Sequence, residues 1–117
     1  MSGAERRREL RTAYERRTPE AGVYALRNTL NDRMLICSSA DLRSVRNRFE
    51  FAQATSSIGA LDGRLASDAR KVGVASFALE ILDLLSVEPD TPVDQLAADL
   101  AELEALWRAK LADREQY

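Results

Sequence analysis

Tyr24, Cys37 and Glu104 carry the groups in this chain best placed to do chemistry. Histidine is absent and Cys37 is the only cysteine. That excludes His-dependent triads, His metal ligands, internal disulfides and Cys-based zinc clusters. Proton transfer is left to Tyr, Glu, Asp, Lys or Cys. Each candidate has a chemical reading and a plain one. Tyr24 is an acid/base group, or a half-buried packing residue with a wet hydroxyl. Cys37 is a nucleophilic or redox thiol whose pKa is lowered by a nearby helix start, or an inert core thiol. Glu104 is an acid or orienting group aimed into a pocket, or a carboxylate at a helix boundary that bends out to water. Arg43, Arg46 and Arg48 are anion contacts, or one solvated helix face.

Residues 21–27 (AGVYALR) alternate between two faces and predict a strand carrying Tyr24. Turn formers fill residues 28–32, and residues 34–37 (MLIC) predict a short buried strand, so the two form a hairpin. Ser38 and Asp41 read as a variant capping box opening a helix to about Gln53, with Leu42, Val45, Phe49 and Ala52 on one face. A second helix is expected over about residues 60–72, closed by Gly73. Residues 76–85 (SFALEILDLL) are apolar on both faces, which predicts a covered, central strand. After Pro89 and Pro92, a last helix is expected over residues 93–113. At about 100° per residue, Val93, Leu96, Leu100, Leu103, Trp107 and Leu111 form its apolar stripe, with Glu104 within about 60° of the centre. Trp107 is core by default, or faces a partner. Residues 3–17 read as a short charged helix ended by Thr18-Pro19. Its arginines at 6, 7, 8, 11, 16 and 17 are a solvated face or a phosphate-binding arm.

The pattern predicts an α+β domain: a small three-stranded sheet flanked by helices, with an extra N-terminal helix. Residues 1–18 form that helix and residues 19–117 the domain. At 117 residues there is room for one compact domain. The net charge of −2 divides into +5 over residues 1–79 and −7 over residues 80–117, so a polyanion would meet only the first part. No apolar run approaches the roughly 20 residues of a membrane span, and the N-terminus lacks a secretory signal. A cytoplasmic protein without membrane contact is expected.

The order of hairpin, helix, strand and acid-bearing helix resembles the GIY-YIG nuclease superfamily over about residues 19–111. Gly22-Val23-Tyr24 stands for "GIY", and Leu35-Ile36-Cys37 falls where "YIG" would be. Ser38-Ser39-Ala40-Asp41-Leu42 is similar to the family's link into its first helix, and Ser76–Leu82 to its third strand. Glu104-Ala105-Leu106-Trp107 has the spacing of the last motif. The layout is also similar to small stand-alone bacterial members with an extra N-terminal helix.

The resemblance implies a first tyrosine near the attacking water, a glutamate on a divalent metal, a helix arginine on the scissile phosphate and a second tyrosine. Tyr24 and Glu104 keep two of these positions. Leu35 replaces the second tyrosine, Cys37 the glycine and Val45 the arginine, while Ser56 and Ile58 fall where the stand-alone members often carry histidine and asparagine. Losing one donor to a developing negative charge costs on the order of 3 kcal/mol of barrier. A metal-dependent nuclease site so depleted is expected to be eroded. Its cleft is then reused for altered chemistry on a small molecule, with Tyr24, Glu104 and Cys37, or for holding nucleic acid or another anion with Arg43, Arg46 and Arg48. The alternative is a residual endonuclease using Mg²⁺ at Glu104. Every version needs Tyr24 and Glu104 to meet across one hollow floored by the hairpin.

Overall fold

The structure, a computed structural model, describes residues 20–57, 61–88 and 90–117. The expected N-terminal helix with its six arginines, and Ile58, lie outside them. Strand β1 (Ala21–Asn28) pairs antiparallel with β2 (Met34–Ser39) on one side and β3 (Phe77–Leu85) on the other, giving the order β2-β1-β3. The expectation of a central third strand is therefore wrong: β1 is the middle strand. The apolar residues on both faces of β3 arise because helices cover both faces of the sheet. Its two acids are spent internally, Glu80 on Arg27 at 2.7 Å and Asp83 on the Trp107 indole at 3.0 Å.

Successive side chains of a strand point to opposite faces, so β1 and β2 divide the interior into two layers. Tyr24, Leu26, Leu35 and Cys37 face one way, against Leu42 and Val45 of helix α1 (Leu42–Thr55), Leu65 of a 3₁₀ turn (Gly63–Leu65), Ala69 of α2 (Ala66–Val72), and Phe77. Val23, Ala25, Met34 and Ile36 face the other way, against Leu103, Trp107 and Leu111. The first two of these belong to α3 (Val93–Lys110). Trp107 is thus a packing residue, not a partner-facing one. Val93, expected in the stripe, is 80% exposed.

Local hydrogen bonds move two boundaries. Asp41, not Ser38, caps α1, accepting from the Ser44 N–H at 3.3 Å. Ser39 meanwhile closes a turn onto Asp41, and Ser38 is drawn away toward α3. The expected helix over residues 60–72 begins as a 3₁₀ turn because Asp62 accepts the Arg64 N–H at 2.9 Å, an early cap that delays α2 to Ala66. The last residues add a contact the sequence pattern did not announce. Met34 N–H donates to the Glu115 carbonyl (3.0 Å) and Tyr117 N–H donates to the Met34 carbonyl (2.8 Å), bonds that cover the outer edge of β2. The Tyr117 phenol donates to Asp68 at 2.6 Å, and Arg33 lies 4.3 Å from the centre of its ring.

Gly22 is fixed by close approach. A Cβ there would land on the backbone carbonyl oxygen of Asp83, where β1 and β3 slip register between Val23 and Tyr24. Gly22→Ala is expected to destabilise the fold by about 1–3 kcal/mol, as overpacking against backbone does. A lowered urea midpoint at unchanged slope would show this, whereas an unchanged midpoint would mean that the strands separate freely.

Candidate functional site

A half-open hollow of about 310 Å³ lies against the first face of the sheet. Tyr24 and Leu26 of β1 form its floor, Val45, Arg48 and Phe49 of α1 one wall, and Leu61 with Asp62 the other. Strand alternation aims Tyr24 here, and helical spacing brings Val45, Arg48 and Phe49 onto the same side of α1. Arg48 reaches the hollow, whereas its companions Arg43 and Arg46 are exposed on α1 and do not line it.

Tyr24 and Cys37 are cross-strand partners whose side chains hydrogen-bond, and Arg64 donates to the Cys37 sulfur at 3.5 Å. The Asp62 carboxylate clamps Arg64 through Nε (3.0 Å) and Nη2 (2.9 Å). These bonds hold the Asp62 carboxyl below its ordinary pKa, so it is ionised throughout the neutral range. Burial drives the other two groups the opposite way. It pushes the Tyr24 phenol above its ordinary value, with Cys37 adding to the effect. It also pushes the Cys37 thiol up, against the lowering by the Arg64 cation. At neutral pH the hollow therefore presents a protonated phenol, with a protonated thiol beside it. The thiol-activating effect expected from a helix start is outweighed by desolvation.

Glu104 is not part of this hollow. It stands on α3 over the second face, where Ser38 Oγ donates to its Oε1 at 3.3 Å and Arg108 meets its Oε2 at 3.4 Å. Arg108 also donates to the Ile36 carbonyl of β2 at 2.8 Å, so Glu104 and Arg108 together fasten α3 to the edge strand. The proposed meeting of Tyr24 and Glu104 fails for a simple reason. Cys37 and Ser38 are consecutive strand residues, and Glu104 takes the one that points away from Tyr24. Its charge reaches Cys37 only as a small further upward push.

A divalent ion at Glu104 would compete with these neighbours. Both carboxylate oxygens are engaged, one by a guanidinium, and among the described residues no three His, Cys, Asp or Glu side chains converge as metal ligands. Sequence reasoning missed Asp62 and Arg64. The only available signal was Asp-Gly-Arg, a turn with adjacent opposite charges.

No protein-family model matches the chain, and no curated protein does. Among solved structures, the catalytic domain of the homing endonuclease I-TevI aligns over 79% of this chain and 88% of its own, with a TM-score of 0.55 and 22% identity. A mutant of the catalytic domain of the intron endonuclease I-TevI aligns over 72% and 84%, with a TM-score of 0.43 and 22% identity. The α+β arrangement expected from the motif order is thus the GIY-YIG nuclease fold.

The state of Cys37 is open to direct measurement. Its alkylation by iodoacetamide in the folded protein is expected to follow a pH profile displaced above that of a free thiol. Arg64→Ala should displace it further up by removing the neighbouring cation. A wild-type midpoint below the free-thiol value would contradict the assignment.

Proposed function

We propose that this domain acts in the cytoplasm as a binding module, using the nuclease fold to hold a phosphate-bearing ligand without hydrolysing it. The ligand occupies the hollow on the first face, with its phosphate near Arg48 and the Tyr24 hydroxyl, and an apolar body against Leu26, Val45, Phe49 and Leu61. The observation that carries this reading is the composition of the hollow: an exposed guanidinium and a protonated phenol beside an apolar wall. A volume of about 310 Å³ lies at the lower end of small-molecule sites. The phosphate class is taken from the structural neighbour, a homing endonuclease. The lone buried thiol suits a reducing compartment.

Chemistry argues for binding over cleavage. Hydrolysis of a phosphodiester needs an activated water and a cation facing the developing charge. Val45 supplies no donor, and Glu104, over the other face of the sheet, is paired with Arg108 of its own helix. Altered chemistry on a small molecule is disfavoured as well. The phenol and the thiol keep their protons at neutral pH, and Asp62, the one ionised acid among the described residues of the hollow, is clamped by Arg64.

Two measurements test the proposal. Supercoiled plasmid incubated with excess protein and Mg²⁺ or Mn²⁺ should stay intact, and nicking that disappears in Glu104→Gln would restore the endonuclease reading. Calorimetric titration with adenosine 5′-monophosphate should give saturable binding that weakens as salt rises. Arg48→Ala should weaken it about tenfold or more, the usual effect of removing a charged hydrogen-bonding partner. Absence of binding, or affinity indifferent to salt and to Arg48, would overturn the proposal.

A further inference from the structure

Among the described residues the hollow is lined by one cation and one anion, which is more than a phosphate alone requires. Arg48 stands on α1 and Asp62 on the facing loop, with Leu26, Val45, Phe49 and Leu61 also in the lining. Asp62 is fixed in place. Its Oδ1 accepts from the Arg64 backbone N–H and Nε, and its Oδ2 from Nη2. A carboxylate offers about four lone-pair positions. Three are used by Arg64, and Oδ2 retains one for a further donor. An ionised carboxylate accepts and never donates. A ligand bringing a carbonyl oxygen or a second anion to this wall would be repelled, whereas one bringing an amine would gain a charge-assisted hydrogen bond.

We propose that Asp62 makes the hollow selective for phosphates whose aromatic body carries an exocyclic amine, the amine docking on Asp62 while the phosphate meets Arg48. This inference rests on the phosphate-binding reading above. It assigns Asp62 as a specificity-determining residue and names the ligand class: nucleotides with an aminated base, free or within a single strand. The apolar side chains of the lining receive the flat ring. Arg64 acts through Asp62, holding the carboxylate ionised and oriented.

The test compares adenosine 5′-monophosphate with purine riboside 5′-monophosphate, which differs only in lacking the amine. The wild-type protein should bind the aminated nucleotide about tenfold more tightly, the scale expected when a polar wall group loses its partner. Asp62→Ala should erase the difference by weakening the aminated ligand alone. Equal binding of the two nucleotides, with Arg48→Ala weakening both, would overturn the selectivity while leaving phosphate binding intact. Binding of neither would overturn both. The wild-type pair decides the question by itself if Asp62→Ala fails to fold. A single-stranded oligoadenylate as a third ligand separates the sources. If it binds more tightly than the mononucleotide the polymer is the natural form, and if less tightly the free nucleotide is.

Discussion

Everything in this molecule depends on the alternation of side chains along its middle strand. β1 is covered on both faces and flanked on both edges, so each of its residues is committed to one layer or the other. Tyr24 and Leu26 go to the layer of α1, and Val23 and Ala25 to the layer of α3. A slip of one residue would exchange the layers completely. Gly22 and the register shift beside it hold the setting, because the Asp83 carbonyl occupies the space a side chain would need. The same rule separates Cys37 from Ser38 on β2, and with them the two groups that a shared site would have joined. Tyr24 keeps company with Cys37, Arg64 and Asp62, while Glu104 keeps company with Ser38 and Arg108.

The electrostatics follow from that division. In the first layer, desolvation raises the phenol and the thiol, so the hollow holds its protons instead of shedding them. Positive charge is supplied by two arginines from different elements, Arg48 on α1 and Arg64 on the 3₁₀ turn, in place of the single helix arginine that the family resemblance puts at Val45. Arg64 is already neutralised by Asp62, which among the described residues leaves Arg48 as the cation facing the hollow. In the second layer, the glutamate and arginine of α3 satisfy each other and anchor the helix to β2. The fold is that of a nuclease domain, and the charges of its described residues are divided between the two layers.

Much of the fold was legible because it is written in periodicity. Residues 21–27 alternate, and the strand is there from Ala21 to Asn28. Leu42, Val45, Phe49 and Ala52 share one helical face, and that face packs into the first layer. What was illegible depends on contacts between residues distant in sequence. The edge position of β3 was hidden because apolarity on both faces reports coverage by helices, not the number of neighbouring strands. The helix starts moved because Asp41 and Asp62 compete locally for backbone N–H groups. Tyr24 was found through its Gly-Val flank, but the side taken by Glu104 is set by the docking of α3, and a stripe angle on an isolated helix does not contain it. Asp62 and Arg64 looked like an ordinary turn, since nothing local announces that they meet Cys37.

The separation of the two layers is the central claim, and paramagnetic broadening by Mn²⁺ in NMR spectra of the folded protein tests it directly. A divalent ion held jointly by the first-face phenol and the α3 carboxylate would broaden signals of Tyr24, Val45 and Glu104 together at low, saturable Mn²⁺ concentration. The structure predicts that these three residues are not selectively broadened as a group. Saturable broadening shared by Tyr24 and Glu104 would contradict it.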